Sequence, residues 1–96
     1  MKGETDMIGK YLDCCTNHLT SETVDDLVME NIPYTTAYTY EEGMFIIVPD
    51  PFDDPEDFER PDDLEYLFQY ARFRGCSIIR LDKDAEELDD LRTYNW

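Results

Sequence analysis

Nine carboxylates crowd one sixteen-residue stretch. They are Asp50, Asp53, Asp54, Glu56, Asp57, Glu59, Asp62, Asp63 and Glu65, with Arg60 as the one cation among them. Four prolines (Pro49, Pro51, Pro55 and Pro61) punctuate the run, fixing φ and removing backbone donors, so regular structure is excluded over most of it. An extended chain advances roughly 3.3 Å per residue, and B-DNA carries one charge per about 1.7 Å of axis. Acids at every second or third position can therefore follow the phosphates of one strand. The chemistry this suits is imitation of a polynucleotide before a groove lined with Lys and Arg. A second acidic group, Glu86, Glu87, Asp89 and Asp90, extends the same character. The plain alternative is a solvated, self-repelling linker.

Two further constellations invite chemistry. Asp82-x-Asp84-x-Glu86 has the spacing of a calcium loop. An EF-hand starting at Asp82 requires Gly at its sixth position and Glu at its twelfth, and these are Glu87 and Thr93, so it is rejected. A two-metal nuclease site built from these acids wants a nearby Lys or His, and the surface would repel its substrate. No metal or cofactor is expected. Cys14, Cys15 and His18 supply a thiol and a base, or part of a zinc set. With no Cys-x-x-Cys pair to complete such a set, the expectation is a core cysteine pair beside a locally hydrogen-bonded histidine. Cys76 reads the same way. The tyrosines Tyr34, Tyr38, Tyr40, Tyr66 and Tyr70 are expected on core and sheet faces, with some exposed as anchors for a partner.

The overall balance sharpens these readings. The chain has 24 Asp and Glu against 8 Lys and Arg, a net charge of −16. Solubility alone asks for a magnitude of roughly 2–8 in a small domain. Phosphate contacts need a basic patch, so direct nucleic-acid binding and docking on an anionic membrane are both disfavoured. A basic partner is favoured, steered in by the opposite charge. Three cysteines, two of them adjacent, make no disulfide framework, and a reducing cytoplasm is the expected compartment. No apolar run approaches the roughly 18 residues of a membrane span. Met1–Lys10 lacks the apolar core of a signal peptide and reads as a loose tail.

Residues 11–96 are expected to form one domain that positions these groups. Tyr11–Cys15 reads as a first strand. Thr20 or Ser21 caps a helix whose stripe is Val24, Leu27 and Val28, and Pro33 closes it. Tyr34–Tyr40 alternates aromatics with Thr and predicts a strand. Glu41-Glu42-Gly43 predicts a turn with Gly at positive φ. Met44–Val48, continuously apolar, predicts a central strand covered on both faces. After the acidic run, Leu64, Leu67, Phe68 and Ala71 form a helical stripe, Arg72 and Arg74 suit the last turn, and Gly75 stops it. Cys76–Leu81 is a last strand, and Leu88, Leu91, Tyr94 and Trp96 are expected to fold the acidic tail back. The order β-α-β-β-α-β predicts an α+β, two-layer sandwich of ferredoxin-like type, with two helices on one face of four strands.

Several short motifs carry a resemblance. Thr16, His18, Leu19 and Thr20 follow the first strand, and Gly43 lies in the hairpin. Pro61 with Leu64 opens the second helix, and Tyr70-Ala71-Arg72 precedes Gly75-Cys76. Leu81, Asp82, Asp84, Leu91, Tyr94 and Trp96 complete the set. On these residues the chain from Tyr11 onward resembles a group of small acidic domains of unknown function carried by plasmids, phages and conjugative elements. The resemblance implies no enzyme mechanism. It implies a setting in the contest between mobile elements and host defence, where small acidic proteins inhibit restriction or CRISPR systems, some by imitating DNA. The expected function is a non-enzymatic acidic inhibitor acting through Asp50, Asp53, Asp54, Glu56, Asp57, Glu59, Asp62, Asp63, Glu86, Glu87, Asp89 and Asp90 on a basic nucleic-acid-binding host protein. The rival expectation is an adaptor that docks a protein through an apolar, tyrosine-rich surface.

Overall fold

A computed structural model describes residues 11–50 and 60–94. In chain order these form β1 (Tyr11–Cys15), a 3-10 turn (Thr16–His18), α1 (Ser21–Val28), β2 (Ala37–Tyr40), β3 (Gly43–Ile47), α2 (Asp62–Phe73) and β4 (Ile78–Asp82). The two helices and one face of the sheet share a single core, so the α+β expectation holds at that level.

The strand order does not follow the ferredoxin-like expectation. It is β1-β4-β3-β2, with β1 and β4 parallel and the other pairs antiparallel. Register explains why β4 lies inside. Its Ile79 and Leu81 are fully buried and align with Leu12 and Cys14 on one side and Ile46 and Met44 on the other. Its Arg80, on the opposite face, stands between Asp13 and Phe45. β1 takes the edge, where an outward Asp13 is tolerated.

Both helices have their ends fixed by local chemistry. Thr20 caps α1, its Oγ1 accepting the Thr23 N–H at 3.2 Å. The helix stops before Pro33: Glu30 takes φ 58°, its N–H bonds Leu27 O, and Asn31 N–H bonds Asp26 O. This Schellman arrangement satisfies the last carbonyls. The same pattern ends α2, with Gly75 at φ 75°, Gly75 N–H on Arg72 O and Cys76 N–H on Ala71 O. All four predicted stripe residues of α2 (Leu64, Leu67, Phe68 and Ala71) are buried. In α1 the stripe shifts: Thr23 and Leu27 are buried, whereas Val28 is exposed.

Three local expectations are corrected. The aromatic-Thr stretch is a strand only from Ala37, because Tyr34 adopts φ 57° in the preceding turn. β3 is interior in the sheet but, among the described residues, covered on one face only: Met44 and Ile46 are buried, Phe45 is half-buried and Ile47 is exposed. Its apolar run supplies both the core and an open face. Gly43 has no positive φ and belongs to β3. Glycine is needed there for closeness, since a Cβ would fall 1.7 Å from the Leu81 carbonyl oxygen. Gly43→Ala must therefore push β3 from β4, and we predict a loss of roughly 3 kcal/mol in urea unfolding. A loss below about 1 kcal/mol would contradict the close approach.

Candidate functional site

The side of α2 beside its core stripe carries Asp62, Tyr66, Tyr70 and Arg74, spaced i to i+4 along one face. Tyr66 is exposed. Tyr70 receives a hydrogen bond from Arg74 Nη1 at 2.8 Å, and the guanidinium lies 5.7 Å from the ring centre. Across from this row runs the chain's tail, and between them opens a cleft of about 360 Å³ lined by Asp62, Asp63, Tyr66, Asp90, Arg92 and Tyr94.

The two walls are held by part-buried polar contacts. At the start of α2, Asp63 Oδ2 accepts the Thr20 N–H at 2.9 Å and lies 3.2 Å from the Thr20 hydroxyl, while Oδ1 accepts the Thr23 hydroxyl at 2.9 Å. One carboxylate thus ties the first turns of both helices together. The tail wall is clamped by His18, which is buried. Leu88 N–H donates to Nε2 at 2.8 Å, so the neutral ring carries its proton on Nδ1, which donates to Arg92 O at 2.8 Å. Tyr94 N–H on Asn17 O, Cys15 N–H on Glu86 O and the buried Leu91 complete the attachment. The histidine is hydrogen-bonded as expected, but to residues 70 and 74 positions away rather than locally.

That geometry also disposes of a Cys14–His18 dyad. Both ring nitrogens are occupied by backbone. Cys14 is fully buried, and burial, with smaller help from Asp13 and Cys15, pushes its thiol up to about 12. A thiol so reluctant to ionise is a poor nucleophile.

The uncovered face of the sheet holds a second ensemble. Arg80 bonds Asp13 at 3.2 Å, Asp82 Oδ2 at 3.1 Å and the Tyr40 hydroxyl at 3.1 Å, and Tyr40 donates to Asp82 Oδ2 at 2.9 Å. Asp82 Oδ1 accepts the Asp84 N–H at 2.8 Å. The Asp84 N–H foremost, then the Tyr40 hydroxyl, hold the Asp82 carboxyl below its ordinary range. Desolvation and the Asp82 bond raise Tyr40. Asp82 is therefore a turn anchor. No group of His, Cys, Asp or Glu among the described residues is arranged to hold a metal ion. Around this network Tyr11, Tyr38 and Ile47 are exposed.

The twelve carboxylates expected to bind a partner divide into five sets. Asp53, Asp54, Glu56, Asp57 and Glu59 lie outside the described residues. Asp62 and Asp90 meet in the cleft. Asp63 lines it too, while its oxygens also serve the helix joint. Glu86, Glu87 and Asp89 are exposed on the tail, with Glu87 accepting Asn17 Nδ2 at 2.6 Å, and Asp50 is exposed beside a separate hollow with Pro49 and Arg72. The cleft residues that the charge pattern missed are Tyr66, Arg92 and Tyr94. Tyr66 was legible as i+4 from Asp62, whereas Arg92 and Tyr94 reach the cleft only through the tail's attachment.

The profile of the C-terminal domain of DUF5983, a family of unknown function, matches residues 11–96. The chain belongs to this family. No curated protein and no solved structure matches it significantly. The DUF5983 match begins at Tyr11, the first residue of β1, and takes in both walls of the cleft. No helix among the described residues is long and apolar enough to cross a membrane.

Two neighbouring aspartates should respond unequally to substitution. Asp63→Ala leaves the Thr20 and Thr23 donors without an acceptor and should cost about 2–4 kcal/mol. Asp62→Ala, losing only a charge near the helix start, should cost under about 1 kcal/mol. Equal losses in denaturant unfolding would refute the joint. Asp82 sets an acid dependence. Because its folded-state pKa is lowered, its contribution is present above its unfolded value near about 4 and is lost as pH falls through the folded value. Thermal melts from pH 6 down to pH 2.5 should fall more steeply for the native chain than for Asp82→Asn, and parallel curves would contradict this.

Proposed function

We propose that this protein is a non-enzymatic acidic binding module that occupies the cationic, nucleic-acid-binding surface of a partner protein. One observation carries the reading: acidic clusters separate in sequence, at 62–63 and at 90, converge on one tyrosine-lined cleft. Support comes also from what the molecule's own cations do. Arg60 pairs with Glu65, Arg80 with Asp13 and Asp82, and Lys83 with Asp84. Asp62, Asp89 and Asp90 form no ion pair among the described residues, so their charge stays available to a partner. A fixed negative face accelerates encounter with a basic surface and makes binding salt-sensitive.

In its finer form the proposal makes the proline-punctuated run, with Asp53, Asp54, Glu56, Asp57 and Glu59, an imitation of a phosphate backbone. The partner is then a host-defence nucleoprotein such as a CRISPR or restriction complex. That form rests on charge spacing and on the family resemblance.

A second reading is favoured by the open sheet face. Tyr11, Tyr38 and Ile47 are exposed there beside the half-buried Phe45 and Ile78. Tyrosine-rich apolar surfaces suit protein docking, and an adaptor of this kind would bind independently of salt.

Both readings meet in one experiment, capture of proteins from a bacterial lysate at low and high salt. The first predicts that a basic nucleic-acid-binding protein is retained at low salt and released at high salt. It also predicts loss of retention when Asp62, Glu86 and Asp89, or Asp53, Asp54, Glu56 and Asp57, are changed to Lys with the fold intact. Salt-independent retention lost in Tyr38→Ala would replace it with the second.

A further inference from the structure

We propose that the cleft between α2 and the tail is a receptor for a single arginine side chain of the partner. This deepens the acidic-module reading and rests on it. The cleft's size is the first argument. At about 360 Å³ it lies at the small end of ligand-binding cavities, suited to one side chain. Its chemistry is the second. Asp62, Asp63 and Asp90 set three carboxylates against the one cation Arg92, which excludes phosphates and acidic groups. None of the three is ion-paired to a described cation. Asp63 is already engaged by Thr20 and Thr23 through both oxygens, and among the described residues Asp90 accepts only the Tyr70 hydroxyl, at 3.2 Å. Asp62 and Asp90 therefore retain acceptor capacity from opposite walls. The third argument is the pair of rings. Tyr66, on α2, and Tyr94, on the tail, line the cleft together with those carboxylates.

A planar cation with several divergent donors satisfies all three features at once. A guanidinium stacks on an aromatic ring and forks to carboxylates, whereas an ammonium is a compact, strongly hydrated point charge. Arginine is thus preferred to lysine. Arg92, a like charge at the wall, opposes entry of a second cation and limits the cleft to one. Its side chain is exposed and only its carbonyl serves the His18 clamp, so it can be removed without loosening the tail.

The test is an NMR titration of the isotope-labelled full chain with N-acetyl-arginine amide at low salt, with N-acetyl-lysine amide as the comparison. The expected result is weak, saturable binding, with shifts concentrated at Asp62, Tyr66, Asp90 and Tyr94 and a lower affinity for the lysine probe. Tyr66→Ala should weaken arginine binding about three- to fivefold. Asp62→Asn should weaken it and Arg92→Ala should strengthen it, each about two- to threefold, as expected for one partly exposed charge. Tyr66 and Arg92 are exposed, so these variants should keep the native spectrum elsewhere. Non-saturating shifts spread over the acidic surface and unchanged in Tyr66→Ala would overturn the receptor. If the same variants still bind a basic protein in a salt-sensitive way, the acidic-module reading survives that failure. If neither probe nor basic protein binds, both fall.

Discussion

Two helices start side by side, and the Asp63 carboxylate joins them. Each helix presents unpaired N–H groups and the positive end of its dipole at that end. Bringing two such ends together is unfavourable unless an anion lies between them. Asp63 supplies it, accepting from Thr20 and Thr23 on α1 while standing in the first turn of α2. Asp62 and Glu65 sit in the same turn. Part of the acid at this end thus has a structural cause. What exceeds that need, Asp62 and the tail acids, is left facing outward.

The placement of the tail follows from the same economy of polar groups. A small domain has a modest core, and here Leu91 adds to it from an irregular segment. Such a segment carries backbone groups that must be paired if buried. His18 pairs two of them with one ring, using the donor and acceptor that only the neutral form offers together. The result sets Asp90, Arg92 and Tyr94 opposite α2. The opposite side of the molecule is built on another logic. There Arg80 is surrounded by Asp13, Asp82 and Tyr40, so its charge is spent internally and the face is largely aromatic. Among the described residues, Asp62 and Asp90 are exposed at the cleft, whereas Tyr11, Tyr38 and Ile47 are exposed on the open sheet face.

Much of this was legible where neighbours in sequence are neighbours in space. The α2 stripe, a cap at Thr20 or Ser21, Gly75 as stop and the strand Tyr11–Cys15 all follow from local periodicity and end chemistry. Strand order did not, because it turns on contacts such as Arg80 with Asp13, 67 residues apart. Gly43 reads as special from its place in the turn, but the cause lies elsewhere, since the Leu81 carbonyl that forbids a Cβ belongs to a distant strand. The acidic character of the site was plain from composition. The division of labour between Asp62 and Asp63 was not, as the two are alike in type and differ only in what lies across from them.

If the acidic cleft acts as proposed, the negative potential there exceeds that over the open sheet face. Amide relaxation by cationic and anionic paramagnetic cosolutes of matched size reads the local potential residue by residue. The cationic-to-anionic ratio should peak at Asp62, Tyr66, Asp90 and Tyr94 and be lowest around Phe45 and Arg80 on the open sheet face. A ratio of similar size over both faces would contradict the claim.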